Sequence, residues 1–159
     1  MRARDIMTAR PECCTPDDTA ERAAHLMEQN DCGCLPVVDD RDSRRLIGVL
    51  TDRDIAVRGV GHGRGADTPV RELMTPDVAC CTADSDLTDI ERTMAERQVR
   101  RVPIVDDRGR CVGIVAQADL ARQAGRYVSD SEVGRVVEQI SEPGPSERWE
   151  RRIDRNTRM

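Results

Sequence analysis

The sequence predicts an α/β protein, in an α+β arrangement, that contains two copies of one β-α-β-β-α unit. Three observations predict this class: an internal repeat, short apolar runs bounded by turn residues, and amphipathic helical spacing between those runs. The repeat aligns positions 67 apart over its first part and 65 apart after a shorter loop. The aligned positions include Met7 with Met74, Cys14 with Cys81, Pro36 with Pro103, Gly48 with Gly113 and Asp54 with Asp119. This many ordered matches with one gap indicate a duplicated supersecondary unit.

Each unit has the same predicted order of elements. In the first copy, a short strand near residues 13–15 precedes a helix that Asp17 or Asp18 caps. Two further strands within residues 35–50 flank a segment of turn composition, which favours an antiparallel hairpin. A second helix follows over about residues 52–59. Because one unit of about 60 residues is marginal alone, we expect the two units to pack sheet to sheet around a shared aliphatic core.

The chain divides into four predicted segments. Unit 1 spans residues 1–60, a Gly-rich linker spans 61–69, unit 2 spans 70–125, and a C-terminal segment spans 126–159. The linker contains a formal G-x-G-x-x-A spacing, but a helix precedes it where a dinucleotide site needs a strand. We therefore interpret it as a flexible connection. The C-terminal segment predicts a short amphipathic helix over 129–140 and an Arg-rich tail.

Composition narrows the classes of function. The chain has 25 basic and 30 acidic residues, a formal net charge of −5 and no phenylalanine. Nucleic-acid binding is therefore not expected, since the chain lacks a basic footprint and has only one tryptophan and one tyrosine for stacking. No apolar run approaches the roughly 20 residues of a transmembrane helix, and the first residues lack the apolar core of a signal peptide. We expect a cytoplasmic protein without membrane association.

The seven cysteines allow two interpretations. None is spaced as C-x-x-C, and small apolar residues of strands are the simpler explanation. Close pairs nonetheless occur, namely Cys13-Cys14, Cys80-Cys81, and Cys32 with Cys34. A redox or metal switch built from Cys13, Cys14, Cys32 and Cys34 is therefore the second hypothesis for function.

The segment over residues 46–57 combines a buried apolar strand with the start of a helix. Thr51 or Asp52 supplies an N-cap oxygen, and Asp54 lies in the first helical turn. Backbone N–H groups, a hydroxyl and a carboxylate therefore converge at one strand end. This arrangement is suited to holding a ribose and its phosphate.

The repeated motifs resemble the tandem CBS-domain pair, or Bateman module, and in particular its small stand-alone bacterial members. The resemblance covers about residues 4–125. It is carried by DIMT and ELMT at the unit starts, by the strands LPVVDD and VPIVDD, and by GVLTDRDI and GIVAQADL. It implies two units that face each other across a pseudo-twofold axis. It also implies two clefts between them for AMP, ADP, ATP or S-adenosylmethionine.

The family's ribose-binding signature is G-h-x-[ST]-x-x-D, in which h is apolar, and residues 48–54 match it in full. The resemblance implies that Asp54 accepts hydrogen bonds from the ribose hydroxyls and that Thr51 binds the ribose or a phosphate. Arg53 is a candidate phosphate contact because of its charge and position. The adenine is expected among apolar strand residues near Thr15, Leu35 and Pro36.

The second copy departs from this signature. Ala116 replaces the hydroxyl residue and Ala118 replaces the equivalent of Arg53, although Asp119 is present. The second cleft is therefore expected to be empty, weak or selective for a different ligand. Arg101, or its neighbour Arg100, could direct a guanidinium toward a phosphate from across the axis; an exposed strand end is the alternative.

The predicted function is a non-catalytic sensor of an adenosyl ligand, with no covalent cofactor and no bound metal. The chain shows no nucleophile–base motif, phosphate-binding loop or zinc-protease motif. Ligand occupancy would shift the packing of the two units, and we expect a homodimer. Besides the cysteine switch, a protein-interaction module that docks on a protein target through the Arg-rich tail is a further alternative.

Overall fold

The computed structural model describes residues 1–127 of the chain. The predicted helix over 129–140 and the Arg-rich tail lie outside the described residues. Unit 1 contains the elements α1 (Ala3–Ile6), β1 (Thr8–Ala9), α2 (Ala20–Gln29), β2 (Cys34–Val38), β3 (Leu46–Thr51) and α3 (Asp52–Asp54). A π-helical turn over Ile55–Gly59 continues α3, and short 3-10 turns follow over Val60–His62 and Val70–Glu72. Unit 2 contains β4 (Thr75–Pro76), β5 (Cys81–Thr82), α4 (Leu87–Arg97), β6 (Arg101–Val105), β7 (Cys111–Ala116) and α5 (Gln117–Tyr127).

The predicted mixture of helices and strands in two units is confirmed, and both hairpins are antiparallel. The predicted first strand is reduced in unit 1 to a single parallel bridge between Cys14 and Val37, whereas its counterpart β5 pairs in parallel with β6. The predicted aspartate cap of α2 is wrong. Thr19 caps this helix by accepting a hydrogen bond from the Arg22 N–H at 3.2 Å, while the Asp18 carboxylate accepts the N–H of Thr15 at 2.7 Å.

The two units exchange their first strands. The four-stranded sheet has the order β1-β7-β6-β5, and the three-stranded sheet has the order β2-β3-β4. Thus β1 of unit 1 is the edge strand of the unit 2 sheet, where Thr8 pairs with Ile114. Reciprocally, β4 of unit 2 pairs with β3 of unit 1, where Thr75 pairs with Val49. Each unit therefore needs the other to complete its sheet.

Equivalent positions of the repeat pair with each other, which defines a pseudo-twofold axis. Arg45 and Arg110 are equivalent, and they form an antiparallel bridge. The flanking hydrogen bonds are also related by the repeat: the Leu46 N–H donates to the Gly109 carbonyl at 3.0 Å, and the Cys111 N–H donates to the Arg44 carbonyl at 2.8 Å. The axis therefore passes between the two hairpin turns.

The core is divided, in contrast to the single shared core that we expected. The unit 1 core includes Leu35 and Leu50 and is completed by Val70 and Leu73, which lie at the start of unit 2. The unit 2 core is likewise completed by Ala3 from the start of the chain. A third, small cluster lies at the junction of the units. The strand exchange explains this division, because each N-terminal segment packs into the core of the opposite unit.

The Gly-rich linker is held against unit 1, although its composition indicated a flexible connection. The N–H groups of Ala20 and Glu21 donate to the carbonyls of Thr68 and Ala66 at 2.8 and 3.0 Å. The Thr68 side chain is buried and donates to the Gly65 carbonyl at 2.7 Å. These bonds satisfy the first N–H groups of α2. Within residues 1–127, no helix combines the length and apolarity that a membrane span requires.

Candidate functional site

The strand–helix junction of unit 1 is a reciprocal capping box. Thr51 is the N-cap of α3, which settles the choice between Thr51 and Asp52. Its hydroxyl oxygen accepts the Asp54 N–H at 3.1 Å. The Asp54 carboxylate oxygen Oδ2 accepts the Thr51 N–H at 2.9 Å and the Thr51 hydroxyl at 2.8 Å. The other oxygen, Oδ1, lies 3.6 Å from the Arg58 guanidinium. Asp54 is thus fixed through one oxygen and retains acceptor capacity at the other.

The equivalent junction of unit 2 keeps half of this arrangement. Asp119 Oδ2 accepts the Ala116 N–H at 2.8 Å, and Oδ1 lies 3.2 Å from the Arg122 guanidinium. The side chains of Asp119 and Asp54 are similarly exposed, at 16% and 15%. The two carboxylates therefore occupy equivalent positions, and the missing hydroxyl at Ala116 is the main local difference.

A cavity of about 460 Å³ lies between the two units beside Asp119, and we call it the Asp119 cavity. Unit 1 contributes residues from the segment after α1 and from the turn between α2 and β2. Unit 2 contributes the start of β6, the end of β7 and the start of α5. The lining includes Arg10, Cys34, Arg101, Ala116, Ala118 and Asp119. Arg101 and Asp119, both predicted as ligand contacts, thus line the same inter-unit cavity.

Charges of both signs surround the Asp119 cavity. Arg10, Arg101 and Arg122 line it together with the acidic residues Glu12, Asp31 and Asp119. Arg122 pairs with Asp119. Within residues 1–127, neither Arg10 nor Arg101 forms an ion pair. Two guanidinium groups thus line the cavity without an ion-pair partner among residues 1–127.

Cys34 and Arg101 are equivalent residues of the repeat, and both line the Asp119 cavity. Burial raises the pKa of the Cys34 thiol to about 12, Arg101 opposes this shift, and Asp54 adds to it. Charges of the unit 1 junction and of Arg101 therefore act on the same thiol. In the two hairpins Cys34 pairs with Thr51 and Arg101 pairs with Ala116, so each lies beside the strand–helix junction of its own unit.

The remaining predicted site residues lie outside the Asp119 cavity. Thr51, Arg53 and Asp54 lie at the unit 1 junction, where Arg53 is exposed. Leu35 and Pro36 are fully buried in β2, and the Pro36 carbonyl accepts the Cys14 N–H at 3.1 Å. Thr15 is partly buried, and its N–H is bound to Asp18. Contact of these residues with adenine stays a prediction.

Sequence reasoning did not include several cavity residues, notably Arg10, Glu12 and Arg122. Arg10 and Glu12 reach the cavity because β1 crosses to the unit 2 sheet. A two-residue strand has no periodicity that could predict this pairing. Arg122 was detectable, because it lies three positions after Asp119 on a predicted helix and such residues share one helix face.

A second cavity, of about 410 Å³, lies within unit 1 between α2 and α3. It shares Asp31 and Cys32 with the lining of the Asp119 cavity and includes neither Thr51 nor Asp54.

The cysteines do not form the group that a metal switch would need. Cys14 lies in the unit 1 core, whereas Cys13 lies in the junction cluster. Across the described part of the chain, no group of three or more His, Cys, Asp or Glu residues is placed to hold a metal ion. All seven cysteines are free thiols.

Comparison with known proteins agrees with the fold and the repeated junctions. The CBS domain family model matches residues 3–60 and again residues 70–125. This chain therefore belongs to the CBS-domain family and carries a tandem pair of the domains. It is 39% identical to the CBS domain-containing protein YhcV of Bacillus subtilis, over 87% of this chain and 94% of that protein. It is 40% identical to hypoxic response protein 1 of Mycobacterium tuberculosis, over 76% of this chain and 82% of that protein.

Solved structures of similar proteins include ligand complexes. Hypoxic Response Protein I, crystallised with two coordinated zinc ions, is 39% identical with a TM-score of 0.69, over 77% of this chain and 98% of that one. The CBS pair of MJ0100, in complex with 5-methylthioadenosine and S-adenosyl-L-methionine, is 27% identical with a TM-score of 0.71. The match covers 79% of this chain and 97% of that one. CBSX2 in complex with AMP is 27% identical with a TM-score of 0.69, over 79% of this chain and 96% of that one.

Proposed function

We propose that this protein is a non-catalytic regulatory module that binds an adenosyl ligand between its two CBS units. The observation that carries the proposal is the Asp119 cavity, which lies between the units and is lined by a helix-start carboxylate and by the guanidinium groups of Arg10 and Arg101. Its volume of about 460 Å³ lies within the usual range of small-molecule sites, roughly 300–1,000 Å³. Ligands in the related structures of MJ0100 and CBSX2 belong to the same chemical class.

At the unit 1 junction, we propose that Asp54 binds the ribose through its carboxylate. Oδ2 is held by Thr51, so Oδ1 is the atom that accepts the hydroxyl hydrogens. Arg58 lies 3.6 Å from Oδ1 and is held in place by the carbonyls of Leu73 and Met74 at 2.8 and 3.0 Å, so it can stay beside the ligand while Oδ1 accepts the new hydrogen bonds. Arg53 is exposed and flanks the same helix start, where it meets a phosphate. Thr15, Leu35 and Pro36 remain the proposed adenine contacts.

At the unit 2 junction, Asp119 has the same role in this proposal. Its Oδ1 is held by the exposed Arg122 at 3.2 Å, so a ribose can replace that partner. Arg101 and Arg10 would bind the anionic part of the ligand, a phosphate or a carboxylate. Without the hydroxyl at Ala116, this site lacks one polar partner, and the two clefts are expected to differ in affinity or preference.

Signalling would follow from the position of the sites between the units. A ligand that contacts both units favours the packing in which its contacts are best satisfied. We propose that a homodimer in the cytoplasm transmits this change to a protein target. The strand exchange supports such coupling, since each unit contains a strand of the other.

Isothermal titration calorimetry with AMP, ATP and S-adenosylmethionine tests the proposal. We expect at least one of these ligands to bind. Asp54→Asn and Asp119→Asn, which preserve side-chain shape, are each expected to weaken the affinity of their own cleft by about 10- to 100-fold, because a charged hydrogen bond contributes roughly 1.5–3 kcal/mol. Asp42→Asn, in an exposed turn, is the matched control. Absence of binding by all three ligands, or unchanged affinity in both cleft variants, would contradict the proposal.

A further inference from the structure

The junction cluster brings together two thiols that are distant in sequence. Cys13 belongs to unit 1, whereas Cys111 is the first residue of β7 in unit 2. They pack in one cluster with Val38 and are 5% and 2% exposed. The sequence suggested groups of neighbouring cysteines. The structure instead pairs Cys13 with a residue from the opposite unit.

A guanidinium group holds this pair from one side. Arg44 Nη2 lies 3.3 Å from Cys13 Sγ and donates to the Pro11 carbonyl at 2.9 Å. Arg44 Nε donates to the Cys111 carbonyl at 3.4 Å. The backbone carbonyls thus fix the positive charge beside one of the two sulfur atoms. A cation in this position favours the thiolate form, which is the nucleophilic form of cysteine.

The two thiols consequently differ in character. The neighbouring Cys111 thiol and the charge of Arg44 lower the pKa of Cys13 against the effect of burial. The neighbouring Cys13 sulfur and burial raise the pKa of Cys111, whose thiol donates to the Gly113 carbonyl at 3.6 Å. Cys13, with the Arg44 guanidinium 3.3 Å from its sulfur, is therefore the better nucleophile of the pair.

The arrangement occurs once in the duplicated fold. Cys80 is the equivalent of Cys13 and is exposed, while Leu46 is the equivalent of Cys111 and packs against the junction cluster. Burial raises the pKa of Cys14 and of Cys34 to about 12, which makes these two thiols poor nucleophiles. Cys13 and Cys111 are thus distinguished from the other cysteines by position and by chemistry.

We propose that Cys13 and Cys111 are an oxidation site at which a peroxide forms a disulfide between the two CBS units. The Cys13 thiolate attacks one peroxide oxygen, the O–O bond breaks, and Cys13 becomes a sulfenic acid. The departing hydroxide takes up the proton that Cys13 released and leaves as water. The Cys111 sulfur then attacks Cys13 Sγ, and the sulfenic hydroxyl leaves with the Cys111 proton as a second water molecule. Two thiols are oxidised by two electrons, and the peroxide is reduced to water.

The cross-link would lie directly beside the Asp119 cavity. Cys13 follows Pro11 and Glu12, which line the cavity, and Cys111 begins the strand that contributes Ile114 and Ala116 to it. Solvent therefore reaches the residue adjacent to Cys13. A disulfide would fasten the wall from unit 1 to the strand from unit 2, and this effect does not depend on which ligand occupies the cavity.

The test uses the full-length, fully reduced protein, treated with hydrogen peroxide at neutral pH and then alkylated. Before alkylation we expect a product about 2 Da lighter than the reduced protein, because two hydrogens are lost, and after alkylation it should carry two fewer alkyl groups than the reduced, alkylated protein. A non-reducing digest should contain one peptide that links Cys13 to Cys111, and dithiothreitol should reverse it. Cys80→Ser is the matched control and should form the same link.

Two variants test the assigned roles. Cys111→Ser should stop the reaction at a Cys13 sulfenic acid, which dimedone traps. Arg44→Gln should slow the reaction by roughly 3- to 10-fold, because it removes the charge that stabilises the thiolate. No Cys13–Cys111 peptide in the oxidised wild type, or a link confined to other cysteines, would overturn the proposal. This result comes from the wild-type protein and does not depend on the folding of any variant.

Discussion

Thr51 and Ala116 show how one residue changes an otherwise equivalent junction. Both begin a helix whose third residue, Asp54 or Asp119, accepts the backbone N–H of the cap at 2.9 or 2.8 Å. Only Thr51 returns a hydrogen bond from its side chain. The aspartates therefore stabilise the helix start in addition to any ligand role, and effects on stability and binding must be measured separately.

Separate substitutions of the two cap residues are expected to change the free energy of unfolding in opposite directions. Thr51→Ala should lower the free energy of unfolding by about 1–2 kcal/mol, because it removes the acceptor of the Asp54 N–H. Ala116→Thr should raise it by about 0.5–1 kcal/mol by supplying the missing acceptor at the unit 2 junction. Urea unfolding of the ligand-free proteins measures both values. A loss of stability in Ala116→Thr would show that the second junction cannot accommodate the hydroxyl.

The candidate binding residues were only partly predictable from the sequence. Thr51 and Asp54 were identified because the whole signature lies within seven consecutive residues. Arg10 and Arg101 line one cavity although they are far apart in the chain. Their proximity depends on the strand exchange, which no local pattern encodes.

The hairpin turns contain equivalent aspartates that organise the loop between their strands. Asp39 accepts the N–H groups of Asp40 and Arg45 at 2.8 and 3.0 Å. Asp106 accepts those of Arg108 and Arg110 at 3.0 and 2.9 Å. A hydrogen bond from Ser43 lowers the pKa of Asp39. The Arg110 N–H similarly lowers the pKa of Asp106.

These shifts predict an acid-sensitive contribution to stability. A carboxylate whose pKa is lowered by folding stabilises the fold above its ordinary pKa of 3.8, and this contribution is lost as the pH falls below that value. The double variant Asp39→Asn/Asp106→Asn should therefore be less stable than wild type at pH 7, with a smaller difference at pH 3. Urea midpoints across this range measure the effect, and Asp42→Asn is the control from the same turn. A stability difference between the double variant and the wild type that is the same at pH 7 and pH 3 would contradict this prediction.

The contact between β3 and β4 requires glycine at position 48. A Cβ atom there would lie 2.6 Å from the Thr75 carbonyl oxygen and 3.3 Å from Met74 Cε. Because the nearest atom belongs to the backbone of the exchanged strand, rotation of a side chain cannot relieve the clash.

Gly48→Ala is therefore expected to destabilise the protein by about 1–3 kcal/mol, the usual cost of overpacking. Gly59→Ala is the control, because its added Cβ would make an ordinary contact with Leu73 at 3.7 Å. Thermal or urea unfolding compares the two. If Gly48→Ala and Gly59→Ala lose the same stability, the close contact between β3 and β4 is not the cause of the loss in Gly48→Ala.

At the scale of the whole molecule, the two CBS units are not independent folding units. Val70 and Leu73 are fully buried in the unit 1 core, and Ala3 is fully buried in the unit 2 core. Separation of the chain between the units would remove a strand and part of the core from each half.

Dividing the chain after Gly63 is expected to show that each unit needs the other to fold. Neither residues 1–63 nor residues 64–159 should unfold cooperatively alone, since each exposes an unfilled core and an unpaired strand edge. An equimolar mixture should regain a cooperative thermal transition, measured by circular dichroism. A cooperative transition in either half alone would disprove the mutual dependence.

The duplicated units and their hairpins were predictable because each arises from a continuous pattern of apolar and turn residues. The exchange of β1 and β4 was not predictable in this way. Each strand has only two residues, too few to show alternation. The divided core follows from the same exchange, so the expectation of one shared core was wrong for the same reason.

The pairing of Thr8 with Ile114 also has a consequence for synthesis of the chain. The N-terminal strand leaves the ribosome early, but its partner is translated about one hundred residues later, or roughly 5–20 s at common elongation rates. During this interval β1 has no native partner, whereas unit 1 can complete its own sheet as soon as Thr75 emerges. The strand β1 is therefore among the last parts of the nascent protein to reach its final position. Slow translation within unit 2 would prolong its exposure to chaperones and proteases.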